Sequence, residues 1–197
     1  MENKSVGSLL VGTWNTKTIV TVAIGAALFG VLMVYASFPI FANTYVTAAM
    51  LIPVIVGAMF GPLAALVAAG VGNIVADLIG GWGVWFDWSV GNGLAAFFVG
   101  LLAVYGARVT EGHFKVKHAV IYSLVVIVSQ LVIYVAIVPI LSFVFYGGEL
   151  NFALIQGSFA ALGNSIVLIV IGLPVLFGMA ARFASRSNIK EDASGEY

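Results

Sequence analysis

The chain is predicted to be an all-α, polytopic membrane protein: six transmembrane helices in a compact bundle, with both termini cytoplasmic. Two observations carry this. First, 62% of the residues are hydrophobic and 8% charged, where a soluble domain carries about 25% charged residues. No core built from 197 residues could hide that much apolar surface from water, so lipid is the solvent for most of it. Second, the cations fall into three groups: Lys4 and Lys17; Arg108, Lys115 and Lys117; Arg182, Arg186 and Lys190. Cationic loops stay on the cytoplasmic side, so this pattern orients the chain as well as dividing it.

A crossing helix needs about 20 apolar residues. The first span is 18–38, too long for the core of a signal peptide, with a turn over 39–44. The next apolar tract, 45–80, would make a single helix of about 54 Å, too long for one crossing. Gly61-Pro62 divides it, since glycine ends helices and proline starts them. The second and third spans are therefore 45–60 and 62–80. The fourth is 85–105, the fifth 119–145 and the sixth 152–182, the last two kinked or bounded by Pro139 and Pro174. With six spans, inner and outer loops carry eight and zero Lys/Arg; with five, the split is six and two. Charge therefore selects six. Asp77, Asp87 and Glu149 fall near the outer face. Residues 183–197 read as a polar cytoplasmic tail, disordered over 188–197.

Chemistry is limited by what is missing. There are no cysteines, which removes disulfides and thiolate chemistry. No HExxH, GxSxG or DxxxD occurs, and Gly12–Thr18 lacks the glycine and the strand that a P-loop requires. An enzyme, a cofactor and a metal site are not expected. Zero net charge gives no reason to invoke nucleic acid. His113 and His118 read as solvated loop residues.

Polar residues within the spans are few: Asn73, Asp77, Asn92, Gln130, Gln156 and Asn164. They gather toward the outer half, as a polar cup open to the outside would. Helix-to-helix hydrogen bonding is the competing explanation, evenly weighted for Gln130 and Asn164 and weaker for Asn73 and Asp77, which share a helix face. Trp82, Trp85 and Trp88 crowd the loop after the third span. Trp also lines membrane interfaces, but this density with glycine hinges suits a lid stacking on a flat ligand. On the first span, Ala23, Ala26, Ala27 and Gly30 form a small-residue stripe including an A-x-x-x-A. Such stripes admit another helix closely, either a partner's or one of the chain's own.

These features together resemble the S components of energy-coupling factor (ECF) vitamin transporters, most closely the riboflavin-type branch. The similarity covers nearly the whole chain. It rests on residues 18–28 (TIVTVAIGAAL), Asn43-Thr44, Phe60-Gly61-Pro62-Leu63, Gly72 followed by Asp77, and Trp85-Phe86-Asp87-Trp88. Asn73 departs from it, where relatives often carry His, and so does Asp87. The resemblance implies a membrane subunit that captures a vitamin from outside. It would dock through its first helix on a transmembrane T subunit and draw on two cytoplasmic ATPases. Riboflavin, a thiamine precursor and cobalamin all stay open. The rival reading is a self-sufficient secondary transporter or channel with Asp77 as proton or ion site. It would call for inverted repeats and midplane breaks, and the sequence has no evident repeat.

Overall fold

The computed structural model describes residues 5–194, with side chains to Arg186. Lys4 and the last three residues of the expected tail lie outside the described residues. A short helix, α1 (Val6–Val11), precedes α2 (Thr16–Tyr35). Asn15 caps α2 by accepting from the Thr18 amide at 3.0 Å, satisfying one of the free amides of its first turn.

The chain then forms a hairpin rather than the expected turn and helix start. Strands β1 (Ser37–Phe41) and β2 (Thr44–Thr47) pair antiparallel, Ser37 opposite Thr47 and Phe41 opposite Thr44, with an irregularity after Pro39. Proline cannot donate to a ladder, so it sits where the ladder is broken. Thr44, Tyr45, Val46 and Thr47 are β-branched or aromatic, suited to a strand. Their apolar character, which reads as a helix start in sequence, serves the hairpin.

Helix α3 (Leu51–Phe60), with the 3-10 turn before it, is correspondingly short, and α4 (Pro62–Gly80) begins at the expected proline. Then follow α5 (Phe86–Val99), α6 (Val116–Val132), α7 (Val138–Tyr146), α8 (Leu150–Ile166) and α9 (Gly172–Ser194). Helix α9 runs through most of the segment expected to be a disordered tail.

The two interior prolines do not break their helices. Pro139 is preceded by a π-helical turn, Ile133–Ile137, and Pro174 by another, Val167–Ile171. A proline ring clashes with the carbonyl four residues back and leaves it without a donor. A wider π turn moves that carbonyl aside and lets the helix continue. Five continuous helical stretches are long and apolar enough to cross a membrane: Thr16–Tyr35, Pro62–Gly80, Phe86–Tyr105, Val116–Tyr146 and Leu150–Arg186. The apolar helix Ala48–Phe60 is shorter.

Helix α4 is the axis of the bundle, packing along α2 and α5. Ala64, Ala65, Ala68 and Ala69 are each 0% exposed, and such small side chains let neighbouring backbones approach closely. At Gly72 an added Cβ would lie 2.7 Å from Phe29 Cβ. The larger core cluster includes Phe29, Val54, the α4 alanines and Tyr122. A second, of Ile133, Tyr134, Val138, Ala95, Ala160 and Ala161, backs the site described next.

This packing divides the small-residue stripe of α2. Ala26 and Gly30 are buried, Gly30 so close to Val75 that a Cβ would come within 2.6 Å of its side chain. These two serve contact within the molecule. Ala23 and Ala27 are exposed, among the outward-facing Ile19, Val20, Ile24, Leu28 and Val31. The part of the stripe that can face a partner narrows to Ala23 and Ala27. The histidine expectation also needs correction: His113 is exposed, but His118 is buried, its Nδ1 accepting from the Lys115 amide at 3.1 Å in the first turn of α6.

Candidate ligand cavity

Gly80 ends α4, and Gly81, in the left-handed conformation at φ 67°, turns the chain away while the Trp82 amide donates back to the Asp77 carbonyl at 3.1 Å. A left-handed cap of this kind suits glycine. The tryptophan loop that follows folds over a cavity of about 460 Å³. Its walls come from the β-hairpin, the C-terminal end of α4, the start of α5, the first π turn, and the α7–α8 junction at Gly148 and Glu149.

Eight of the nine expected site residues line this cavity: Asn73, Asp77, Trp82, Trp85, Trp88, Asn92, Gln156 and Asn164. Gln130 does not. It is fully buried in α6, and among the described residues neither its amide nitrogen nor its oxygen has a hydrogen-bond partner. Asp87, expected within the aromatic cluster, is also buried and off the cavity lining. Neither of its carboxylate oxygens has a hydrogen-bond partner among the described residues. Its place in the first turn of α5 sets it against the positive end of the helix dipole.

The polar floor is a directed chain. The Tyr134 hydroxyl donates to Asn92 Oδ1 at 2.6 Å, and Asn92 Nδ2 donates to Asn73 Oδ1 at 2.8 Å. Asn73 Nδ2 then donates to Asp77 Oδ2 at 3.2 Å and to Ser89 Oγ at 3.1 Å. The Trp85 amide gives Asp77 Oδ2 a further bond at 2.9 Å. An ionised carboxylate only accepts, so it fixes the flip of Asn73, which fixes Asn92 and then the Tyr134 hydroxyl. Gln156 sits at the rim, its Nε2 donating to the Ala42 carbonyl of the hairpin loop at 3.1 Å.

The aromatic wall is built from pairs. Trp82 stacks on Tyr45 of the hairpin, with ring centroids 5.7 Å apart and planes 9° from parallel. Trp85 meets Tyr146 of α7 edge-on at 4.8 Å, and Trp88 meets Tyr134 at 5.8 Å. Each tryptophan thus pairs with a tyrosine from a different element. Sequence reading missed all three tyrosines and the hairpin wall. The nearest signal was Asn43-Thr44, which lines the cavity at the tip of the hairpin.

The family model described as the ECF-type riboflavin transporter, S component, matches residues 13–181. The chain belongs to that family. It is a membrane-spanning transporter component rather than an enzyme. A UPF0397 protein of Vibrio atlanticus (strain LGP32) is 30% identical over 181 residues, covering 90% of this chain and 98% of the relative. In fold, the chain is similar to FolT, solved in a crystal structure with folic acid bound: TM-score 0.60 and 17% identity, covering 86% of this chain and 98% of that one.

Proposed function

We propose that this S component captures a vitamin or related micronutrient from outside the cell. It would deliver the substrate inward together with an ECF transmembrane T subunit and two cytoplasmic ATPase subunits. It would sit in the cytoplasmic membrane with both termini inside. The observation that carries this reading is the cavity itself: a mostly apolar cup with a few oriented polar groups, the usual make-up of a small-molecule site. The cavity lies at the end of the bundle away from Arg108, Lys115 and Lys117, as an outward-facing capture site should. The folic acid of FolT does not carry over, because among the described residues no Lys, Arg or His lines this cavity.

On this reading the exposed face of α2 around Ala23 and Ala27 meets the T subunit, and Trp82, Trp85 and Trp88 act as a lid. Six crossings follow if the second is composite. Strand β2 supplies about 13 Å and Ala48–Phe60 about 20 Å, together matching a hydrocarbon core of about 30 Å.

The test is uptake in cells expressing this chain with and without the T subunit and the ATPases. Accumulation of the co-purified small molecule, identified by mass spectrometry, should require all of them. Uptake that persists without the ATPases and stops when the proton gradient is collapsed would return the secondary-transporter reading.

A further inference from the structure

We propose that the cavity selects a small, flat heteroaromatic compound bearing an amino group, neutral or cationic, and rejects carboxylates and phosphate esters. This deepens the capture reading above and rests on it for biological sense, but it concerns binding alone.

Three observations carry it. The first is the charge of the lining. Its ionisable side chains, apart from tyrosines, are Asp77 and Glu149, with no cation among the described residues to pair with either. An anionic ligand would bring like charge into a cup of low dielectric, at a cost that apolar contacts do not recover.

The second is the direction of the polar floor. Both hydrogens of Asn73 Nδ2 are committed, to Asp77 and Ser89; the Ser89 hydroxyl is committed to the Trp85 carbonyl at 3.0 Å; the Tyr134 hydroxyl is committed to Asn92. The main chain of donors, from Tyr134 through Asn92 and Asn73, points toward Asp77, with a side branch from Asn73 through Ser89 to the Trp85 carbonyl. Both bonds that Asp77 receives from side chains and backbone, from Asn73 and Trp85, fall on Oδ2, and Oδ1 takes none among the described residues. The floor therefore ends in an unfilled acceptor on a nearly buried carboxylate, 5% exposed. Its natural complement is an N–H donor, strongest when it carries positive charge.

The third is shape. Three Trp–Tyr pairs wall a cavity of about 460 Å³, at the small end of the range of about 300–1,000 Å³ for small-molecule sites. Aromatic faces favour a flat ring, and a corrin macrocycle with its nucleotide tail exceeds the enclosed space.

The test uses matched probes on the purified chain in lipid nanodiscs, read by tryptophan fluorescence. The amino compounds are 4-amino-5-hydroxymethyl-2-methylpyrimidine, pyridoxamine and adenine. Each is compared with its oxo or hydroxyl counterpart and with its phosphate ester. At least one amino compound should bind about tenfold or more tighter than its deaminated partner and its phosphate. Asp77→Asn keeps the shape and should weaken that compound by about 10- to 150-fold, the range for losing a hydrogen bond to a charged group. The deaminated partner should change little. The comparison of probes on the unaltered chain stands whether or not the variant folds. Binding of no amino compound better than its partner would overturn the proposal, as would preference for a phosphate ester or co-purification of a carboxylate, a phosphate ester or a corrinoid. Uptake that does not need the ATPases would overturn the importer reading and leave this preference untouched.

Discussion

Tyr134 shows how much one side chain can hold. It is fully buried, pairs with Trp88, and starts the hydrogen-bond chain that ends at Asp77. Its sequence context gives no hint of this, because a tyrosine inside an apolar span reads as part of the greasy surface, and its partner Asn92 is 42 residues away. Tyr134→Phe removes only the hydroxyl and leaves Asn92 Oδ1 short of a donor. A neutral hydrogen bond contributes about 0.5–1.5 kcal/mol, so affinity for the captured ligand should fall by about 2- to 12-fold, measured by fluorescence titration. An unchanged dissociation constant would mean that the chain of amides does not organise the site. The carbonyl of the same residue faces Gly157 of α8 so closely that a Cβ there would overlap it. Gly157→Ala should therefore destabilise the protein by the about 1–3 kcal/mol typical of overpacking, read as a lower thermal midpoint in detergent.

Among elements, the hairpin and α2 each do two things that the sequence shows only in part. The hairpin forms one wall of the cavity and is tied across it by Gln156, whose side chain donates to the Ala42 carbonyl. Gln156→Ala should leave β1–β2 paired but release that tie, giving faster amide hydrogen exchange over residues 37–47 and faster ligand dissociation. Exchange rates equal to the parent would show that strand pairing alone holds the wall. In α2, Ala23 and Ala27 face out while Ala26 and Gly30 pack inward. Ala23→Trp should abolish uptake while the isolated protein still binds its ligand. Ala26→Trp should instead destabilise the protein itself and reduce both. Equal damage from the two would remove the outer face of α2 from any role in docking. The periodicity of small residues was legible in sequence. Which half of the stripe turns inward was not, because that depends on Val75 and Phe29 meeting Gly30 and Gly72 across the α2–α4 contact.

For the whole molecule, apolar length located the long spans well, and Gly61-Pro62 marked the start of α4 as expected. Hydropathy could not distinguish the strand residues 44–47 from the first turn of a helix, since both are apolar and bounded by a turn. Nor could it foresee that π turns would carry two helices past Pro139 and Pro174, a matter of backbone geometry. Cation placement was equally legible, and it argues for one orientation: the 106–117 loop packs beside α9 at one end, and the cavity opens at the other. Single cysteines at Glu111 and Gly148 test this on a chain that has no native cysteine. Glu111 is exposed, and Gly148 lies at the cavity rim with a backbone that accepts a side chain. An impermeant maleimide added to intact cells should label Gly148→Cys and leave Glu111→Cys unlabelled until the membrane is opened. The loops flanking the composite second crossing decide how many crossings there are. If α3 and its strand do not cross, the chain has five spans, and with the N-terminus kept inside the 106–117 loop and the cavity-rim loop exchange sides. Glu111→Cys would then react in intact cells and Gly148→Cys would not. That reversal would place six of the eight cations outside against the charge rule, so the labelling pattern tests the orientation of the capture site directly.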